Sequence, residues 1–180
     1  MIYIVFSDIH GSAYYTNKMK EIIEKENPDK VILLGDLYYH GPRNPLPEEY
    51  NPKLVCEFLN SIKDSIICIK GNCDAEVDEM ISEFPFNNHV ELEIGNKKYY
   101  FTHGHHENKD NIPEAIDVLV YGHFHTGFIE EVNGVICVNS GSITLPKNDT
   151  PHSYLIINEE GIKLKDIDGN LIKSHNAQLN

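Results

Sequence analysis

The sequence predicts an α/β protein organised around a largely parallel sheet, and three observations carry that expectation. Near-continuous apolar runs at residues 2–6, 31–34, 65–69 and 118–121 are too short for helices and suit strands buried on both faces. The first three alternate with segments of helical apolar spacing, the order a parallel sheet requires. The second half changes to paired runs around Gly95-Asn96 and Asn133-Gly134, which are hairpin signals.

The elements follow in order. Residues 2–6 form a strand, and residues 12–25 a helix whose stripe includes Met19, Ile22 and Ile23. Asn27-Pro28-Asp29 ends that helix, and residues 31–34 are the next strand. Residues 38–52, rich in Pro and Gly, are a loop long enough to be functional. Leu54, Val55, Phe58, Leu59 and Ile62 make residues 53–62 an amphipathic helix. A strand at 65–69 precedes a short helix at 74–84, stopped by Pro85. Strands are expected at 89–94, 97–102, 118–121, 127–132, 135–138, 153–158, 162–167 and 171–174. One domain spanning residues 1–175, with a polar tail at 176–180, accounts for the whole chain.

Composition narrows the function. A formal charge of −13, from 15 Lys plus Arg against 28 Asp plus Glu, disfavours polyanionic partners such as nucleic acid. Cys56, Cys68, Cys73 and Cys137 have neither paired zinc spacing nor the density of a disulfide scaffold, so reduced thiols and a cytoplasmic location are expected. The start MIYIVFSD lacks a cationic lead and no apolar run is long enough to span a membrane, so no membrane association is expected. Ten histidines are many for 180 residues, a first hint of metal.

Five apolar runs end in metal-ligand residue types. Asp8 and His10 follow the first, Asp36 the second, Asn72 the third, His103 the strand at 97–102, and His123 and His125 the strand at 118–121. Taken singly, Asp36 reads as a turn aspartate and Asp8 as a helix cap. Five such ends together point instead to a shared metal site on the C-terminal edge of the sheet, where α/β ligand sites collect. Imidazole mixed with carboxylate suits manganese, iron or zinc better than magnesium or calcium alone. Asp36 has two oxygens and can serve two cations. Beyond it, His40 and Arg43 are candidates for contacting a substrate phosphate, with a solvated loop as the structural alternative.

The ordered set SDIHG, GDLYYHGPRN, GNCD, THGH and GHFH resembles the calcineurin-like metallophosphoesterase superfamily, and within it the bacterial YfcE-type phosphodiesterases. The resemblance runs from residue 1 to about residue 157. It implies a four-layer αββα sandwich with two mixed central sheets. It also implies two divalent ions, manganese foremost with zinc, iron or nickel as alternatives. Asp8, His10, Asp36 and His125 would hold one ion, and Asp36, Asn72, His103 and His123 the other. The implied activity is hydrolysis of small phosphodiesters by a two-metal, bridging-hydroxide mechanism. Asp36, Asn72, Cys73, Asp74 and His105 are its candidate catalytic residues. Cys73 departs from the wider superfamily, where a histidine oriented by the following acid protonates the leaving oxygen. A thiol serves poorly there. His40 and His105 are candidate substitutes, with a loop contact and a supporting hydrogen bond as the structural alternatives. The partner expected is a small phosphodiester, with no stable nucleic acid; a homo-oligomer is compatible. The rival is a non-catalytic scaffold on the same fold, as in the retromer coat; a nuclease is disfavoured by charge.

Overall fold

The computed structural model describes residues 1–177. Residues 178–180, the end of the expected polar tail, lie outside the described residues. The chain opens with β1 (Tyr3–Phe6), α1 (Ala13–Glu26) and β2 (Lys30–Leu33), followed by α2 (Pro52–Ser61), a 3₁₀ turn (Lys63–Ser65), β3 (Ile66–Ile69) and α3 (Glu76–Ile81). Then come β4 (Phe86–Asn87), β5 (His89–Ile94), β6 (Lys97–Thr102), β7 (Val118–Tyr121), β8 (Gly127–Val132) and β9 (Val135–Ser140), and last β10 (Ser153–Asn158), β11 (Gly161–Asp166) and β12 (Leu171–Asn176).

Both sheets are mixed, as expected. A seven-stranded sheet runs β12-β11-β10-β1-β2-β3-β4 and a five-stranded sheet runs β5-β6-β7-β9-β8. β1, β2, β3 and β4 pair in parallel, while β10 joins β1 antiparallel. In the second sheet β6, β7 and β9 are parallel, and β5 and β8 close the edges antiparallel.

Period-two alternation decides what each strand packs against. Val5, Ile32, Leu34, Ile69, Leu155 and Ile157 face the second sheet and meet Phe101, Val118, Val120, Ile129 and Val138. The intervening residues Ile4, Phe6, Val31, Leu33 and Cys68 face outward and receive Met19 and Ile22 of α1 and Val55 and Leu59 of α2. Ser12 caps α1 by accepting from the Tyr15 amide, and Asn51 caps α2 by accepting from Leu54. Outside the five-stranded sheet, Ile112 and Ile116 of the β6–β7 connection cover Tyr100, Leu119 and Tyr121. That fourth layer is therefore loop and not helix among the described residues. The connection between residues 103 and 117, GHHENKDNIPEAI, lacks the apolar repeat a helix needs.

Smaller differences have local causes. The helix expected at 74–84 shortens to α3 because Asp74 spends its carboxylate on backbone amides outside the helix. The two-residue β4, unmarked by any pattern, exists through its pairing with β3. β12 runs past Ser174 because His175 and Asn176 pair with Ile162 and Gly161, drawing the first residue of the expected tail into the sheet.

The packing between the sheets predicts a contrast. Phe101 is fully buried there, whereas Leu171 is 56% exposed. Phe101→Ala should cost about 3–5 kcal/mol and Leu171→Ala less than about 0.5 kcal/mol. Urea unfolding of both variants checks this; equal midpoints would overturn the two-sheet core.

Candidate metal centre

The topology brings the five strand ends to one place. β1, β2 and β3 are parallel neighbours, so Asp8 and His10, Asp36 and Asn72 leave the same edge of the first sheet. β6 and β7 are parallel neighbours in the second, delivering His103, His123 and His125. The chain turns sharply at three of the ends: Asp8, His10, Asp36, His123 and His125 all have left-handed backbone, with φ of 56°, 49°, 56°, 63° and 57°. Side chains adopt that region at a cost, and it aims these five inward. Two glycines permit the crowding. A Cβ at Gly71 would stand 2.2 Å from Asp36 Oδ1, and one at Gly122 would stand 1.9 Å from Ser7 Oγ.

Two groups form around one shared carboxylate. Asp8 Oδ1 lies 3.2 Å from His125 Nε2 and 3.6 Å from His10 Nε2. Asp36 Oδ2 lies 3.7 Å from His10 Nε2 on one side and 3.4 Å from His103 Nε2 on the other. Asn72 Oδ1 is 2.9 Å from His103 Nε2, and His123 Nδ1 is 3.3 Å from the same nitrogen. Asp8, His10 and His125, then Asp36, His103 and His123, each place their ligand atoms within 4.8 Å of one another.

The hydrogen bonds around the site fix which atoms face inward. His10 Nδ1 donates to the Tyr39 carbonyl at 2.7 Å, His103 Nδ1 to Leu34 at 2.6 Å, and His125 Nδ1 to Leu145 at 2.6 Å. With those protons committed, each Nε2 turns a lone pair into the site. Asp8 Oδ2 accepts from Ser7 Oγ at 2.6 Å and from the His123 amide at 3.0 Å, leaving Oδ1 buried with no hydrogen-bond partner. Asp36 Oδ1 accepts from the Cys73 amide at 2.8 Å, leaving Oδ2 for the centre.

Such an inward set is wrong for a closed hydrogen-bond network and right for cations. The Nε2 atoms of His10 and His125 face each other at 3.3 Å, two acceptors beside an orphaned carboxylate oxygen. Electrostatics agree. Burial alone would push the His103 imidazole down, but its bond to Asp36 and the charges of Asp8 and Asp36 lift it to about 9. His10 is likewise raised against its burial, by Asp8 first. Asp8, which burial would raise, is held well below the usual carboxylate range by His10 and His125. The site favours positive charge at its middle, and these donors fit divalent metal.

The remaining candidates fall in different places. Cys73 Sγ lies with His10 and Asp36 ligand atoms in a third group within 4.8 Å. Burial and the Asp36 and Asp74 carboxylates push its thiol up to about 12, so it stays neutral. Asp74 is buried. Its carboxylate accepts the Asp36 and Leu37 amides at 2.8 Å each and the Gly71 amide at 2.7 Å, which replaces the expected role of orienting a group at position 73. Burial raises its carboxyl to about 6. His105 is exposed at the mouth, its ring centre 5.3 Å from that of His103. Arg43 is exposed and makes no ion pair among the described residues. His40 sits between Tyr39 and Tyr50, with ring centres 4.8 and 5.4 Å away.

Three supports stand behind the ligands; Asn139 and Ser142 belong to a small-residue turn that the sequence suggests as a lining of the site, and Ser7 was missed. Ser7 holds Asp8, and Asn139 Nδ2 donates to the Gly122 carbonyl at 2.7 Å. Ser142 Oγ donates to the Asp8 carbonyl at 2.8 Å and accepts the Leu145 amide, whose residue in turn orients His125. The small residues at 139–142 were the available signal.

The Asp74 contacts yield a prediction. Asp74→Ala leaves three buried amides unsatisfied, at roughly 1–3 kcal/mol each before relaxation. Metal-free Asp74→Ala protein should therefore melt well below the parent by calorimetry, and an unchanged melting temperature would contradict the anchoring role.

Comparison with known proteins agrees with this geometry. Residues 1–161 match the calcineurin-like phosphoesterase superfamily domain. The chain is 39% identical over 159 residues to phosphodiesterase YfcE of Escherichia coli K12, covering 86% of this chain and 85% of that one. The solved structure of the E. coli phosphoesterase YfcE superposes with a TM-score of 0.93 at 35% identity, covering 98% of this chain and 99% of its own. Vps29 of Cryptosporidium parvum shares the fold at a TM-score of 0.64 and 18% identity, covering 98% of each chain. By family match, identity and fold, the chain belongs to the calcineurin-like phosphoesterase superfamily.

Proposed function

We propose that the protein hydrolyses small phosphodiesters at a pair of divalent ions, manganese foremost. The observation that carries this reading is the position of Asp36 Oδ2, 3.7 Å from His10 Nε2 and 3.4 Å from His103 Nε2. One carboxylate oxygen thus serves two neighbouring groups of donors. Asp8, His10, Asp36 and His125 would hold one ion; Asp36, Asn72, His103 and His123 would hold the other. A metal pair supplies Lewis acidity and a nucleophile at neutral pH. The name of the E. coli relative, a phosphodiesterase, supports the reaction class.

The chain's own residues do the rest. The carbonyls of Tyr39, Leu34 and Leu145 fix the tautomers of His10, His103 and His125. Ser7 and Ser142 hold Asp8 at its carboxylate and its carbonyl. Cys73, neutral beside Asp36, donates no proton readily to a departing oxygen. Arg43 and His105 stand exposed, and in this reading they contact the bound phosphate. Four free cysteines fit a reducing, cytoplasmic setting, and no helix among the described residues is long and apolar enough to cross a membrane. The formal charge of −13 favours a small substrate over nucleic acid. The scaffold reading draws on Vps29, whose 18% identity speaks for fold alone, while the complete donor set here favours the enzyme.

Metal dependence and substitutions at Asp36 and Cys73 test the proposal. Chelation should abolish hydrolysis of bis(p-nitrophenyl) phosphate and manganese should restore it, while Asp36→Asn should lower the rate by roughly a hundredfold or more. Full turnover by metal-free protein would sink the reading. Cys73→Ala should change aryl diester hydrolysis by less than about tenfold, below the roughly 10²–10⁴ of a positioned general acid. Rate against leaving-group pKa should stay steep in the parent and flatten in Cys73→His.

A further inference from the structure

A cavity of about 560 Å³ opens beside the metal centre, and its outer part is not used by the proposed chemistry. Asn72 and His105 form its inner end, and it runs outward between the β3–α3 turn, the start of β5 and the histidine-rich turn after β6. That volume lies within the range of pockets that hold a small organic ligand, about 300–1,000 Å³.

Its lining selects a kind of occupant. The only ammonium is Lys70, already paired with Glu79. Asp74 and Glu107 add carboxylates, so a second phosphate finds no unpaired cation there. Hydrogen-bonding groups without charge dominate instead, with the exposed Asn88 amide and the imidazoles of His89, His105 and His106. Those rings offer aromatic surface on which a base can stack. His89 stacks on Tyr100 with centres 4.7 Å apart and planes 11° from parallel, and His105 and His106 sit 4.0 Å apart. Aromatic surface with amide and carboxylate acceptors matches a nucleoside, whose base stacks and whose hydroxyls and ring nitrogens hydrogen-bond.

Building on the phosphodiester reading, we infer that this cavity receives a nucleoside arm of the substrate diester. Asn88, His106 and Glu107 then determine specificity. The phosphate sits at the metals, the nucleoside extends outward from Asn72, and the other ester arm leaves toward solvent.

The test separates this inference from the reading beneath it. Manganese-loaded parent, Asn88→Ala, His106→Ala and Glu107→Gln are titrated calorimetrically with thymidine 5′-monophosphate and with inorganic phosphate. All three side chains are exposed or half-buried, so the variants should keep the parent melting temperature. The parent should bind the nucleotide more tightly than phosphate. Each variant should weaken nucleotide binding roughly three- to tenfold and leave phosphate binding unchanged. In turnover, KM for thymidine 5′-(p-nitrophenyl phosphate) should rise by the same factor with kcat unchanged, and bis(p-nitrophenyl) phosphate should not distinguish variant from parent. Equal parent affinity for nucleotide and phosphate, or variants with unaltered nucleotide affinity, overturns the cavity assignment even if diesters are hydrolysed. Preferential nucleotide binding, lost in the variants, upholds it even if no diester is hydrolysed.

Discussion

The carboxylate of Asp74 is the tie on which the centre depends. It collects the amides of Asp36 and Leu37, just after β2, and of Gly71, just after β3. Two neighbouring strands end there, so their last amides have no ladder partner and must be satisfied by something else. A single buried anion does this for both chains and draws Gly71 against Asp36. The absence of a side chain at Gly71 then lets Asp36 keep Oδ1 on the Cys73 amide and turn Oδ2 toward the imidazoles.

Much of this was legible in the sequence, for a physical reason. Parallel strands buried on both faces leave apolar runs, and the residue after each run lies on the common C-terminal edge. Asp8, Asp36, Asn72, His103 and His123 could each be placed at a strand's C-terminal end from that alone, whereas the meeting of two sheet edges could not be read from it. Asp74 was misread because an acid after Asn-Cys looks like a partner for its neighbour, whereas its real partners include amides 37 and 38 residues away. The loop layer over Leu119 and Tyr121 was hidden too. Ile112 and Ile116 carry no period to announce that they cover a sheet. β4 was invisible for a similar reason, being defined by its neighbour and not by its own residues.

The centre is also where the structure departs most from local comfort. Five side chains adopt left-handed backbone there, and Asp8 Oδ1 is buried without a hydrogen bond. Each is unfavourable on its own. They persist because the surrounding chain over-determines them: Phe6, Leu33 and Leu34 are fully buried immediately before the turns, and Ser142 and Asn139 pin the opposite wall. A rigid core on both faces of the first sheet thus sustains a strained rim.

The contacts that build the rim span long stretches of chain. The Asp8 carboxylate meets the His123 amide 115 residues on, His10 meets His125 at the same separation, and His103 reaches the Leu34 carbonyl across 69 residues. Every one of these joins the first sheet to the second. Contacts so distant in sequence are closed late, after loop entropy has been overcome, and topologies rich in them fold slowly. The centre therefore has no local precursor. During synthesis, Asp8 and Asp36 emerge with hydrophobic strands but without the imidazoles that complete them. Metal-binding capacity appears only once β7 and its trailing histidines have docked, so that a completed centre is a record of the two sheets having closed on each other.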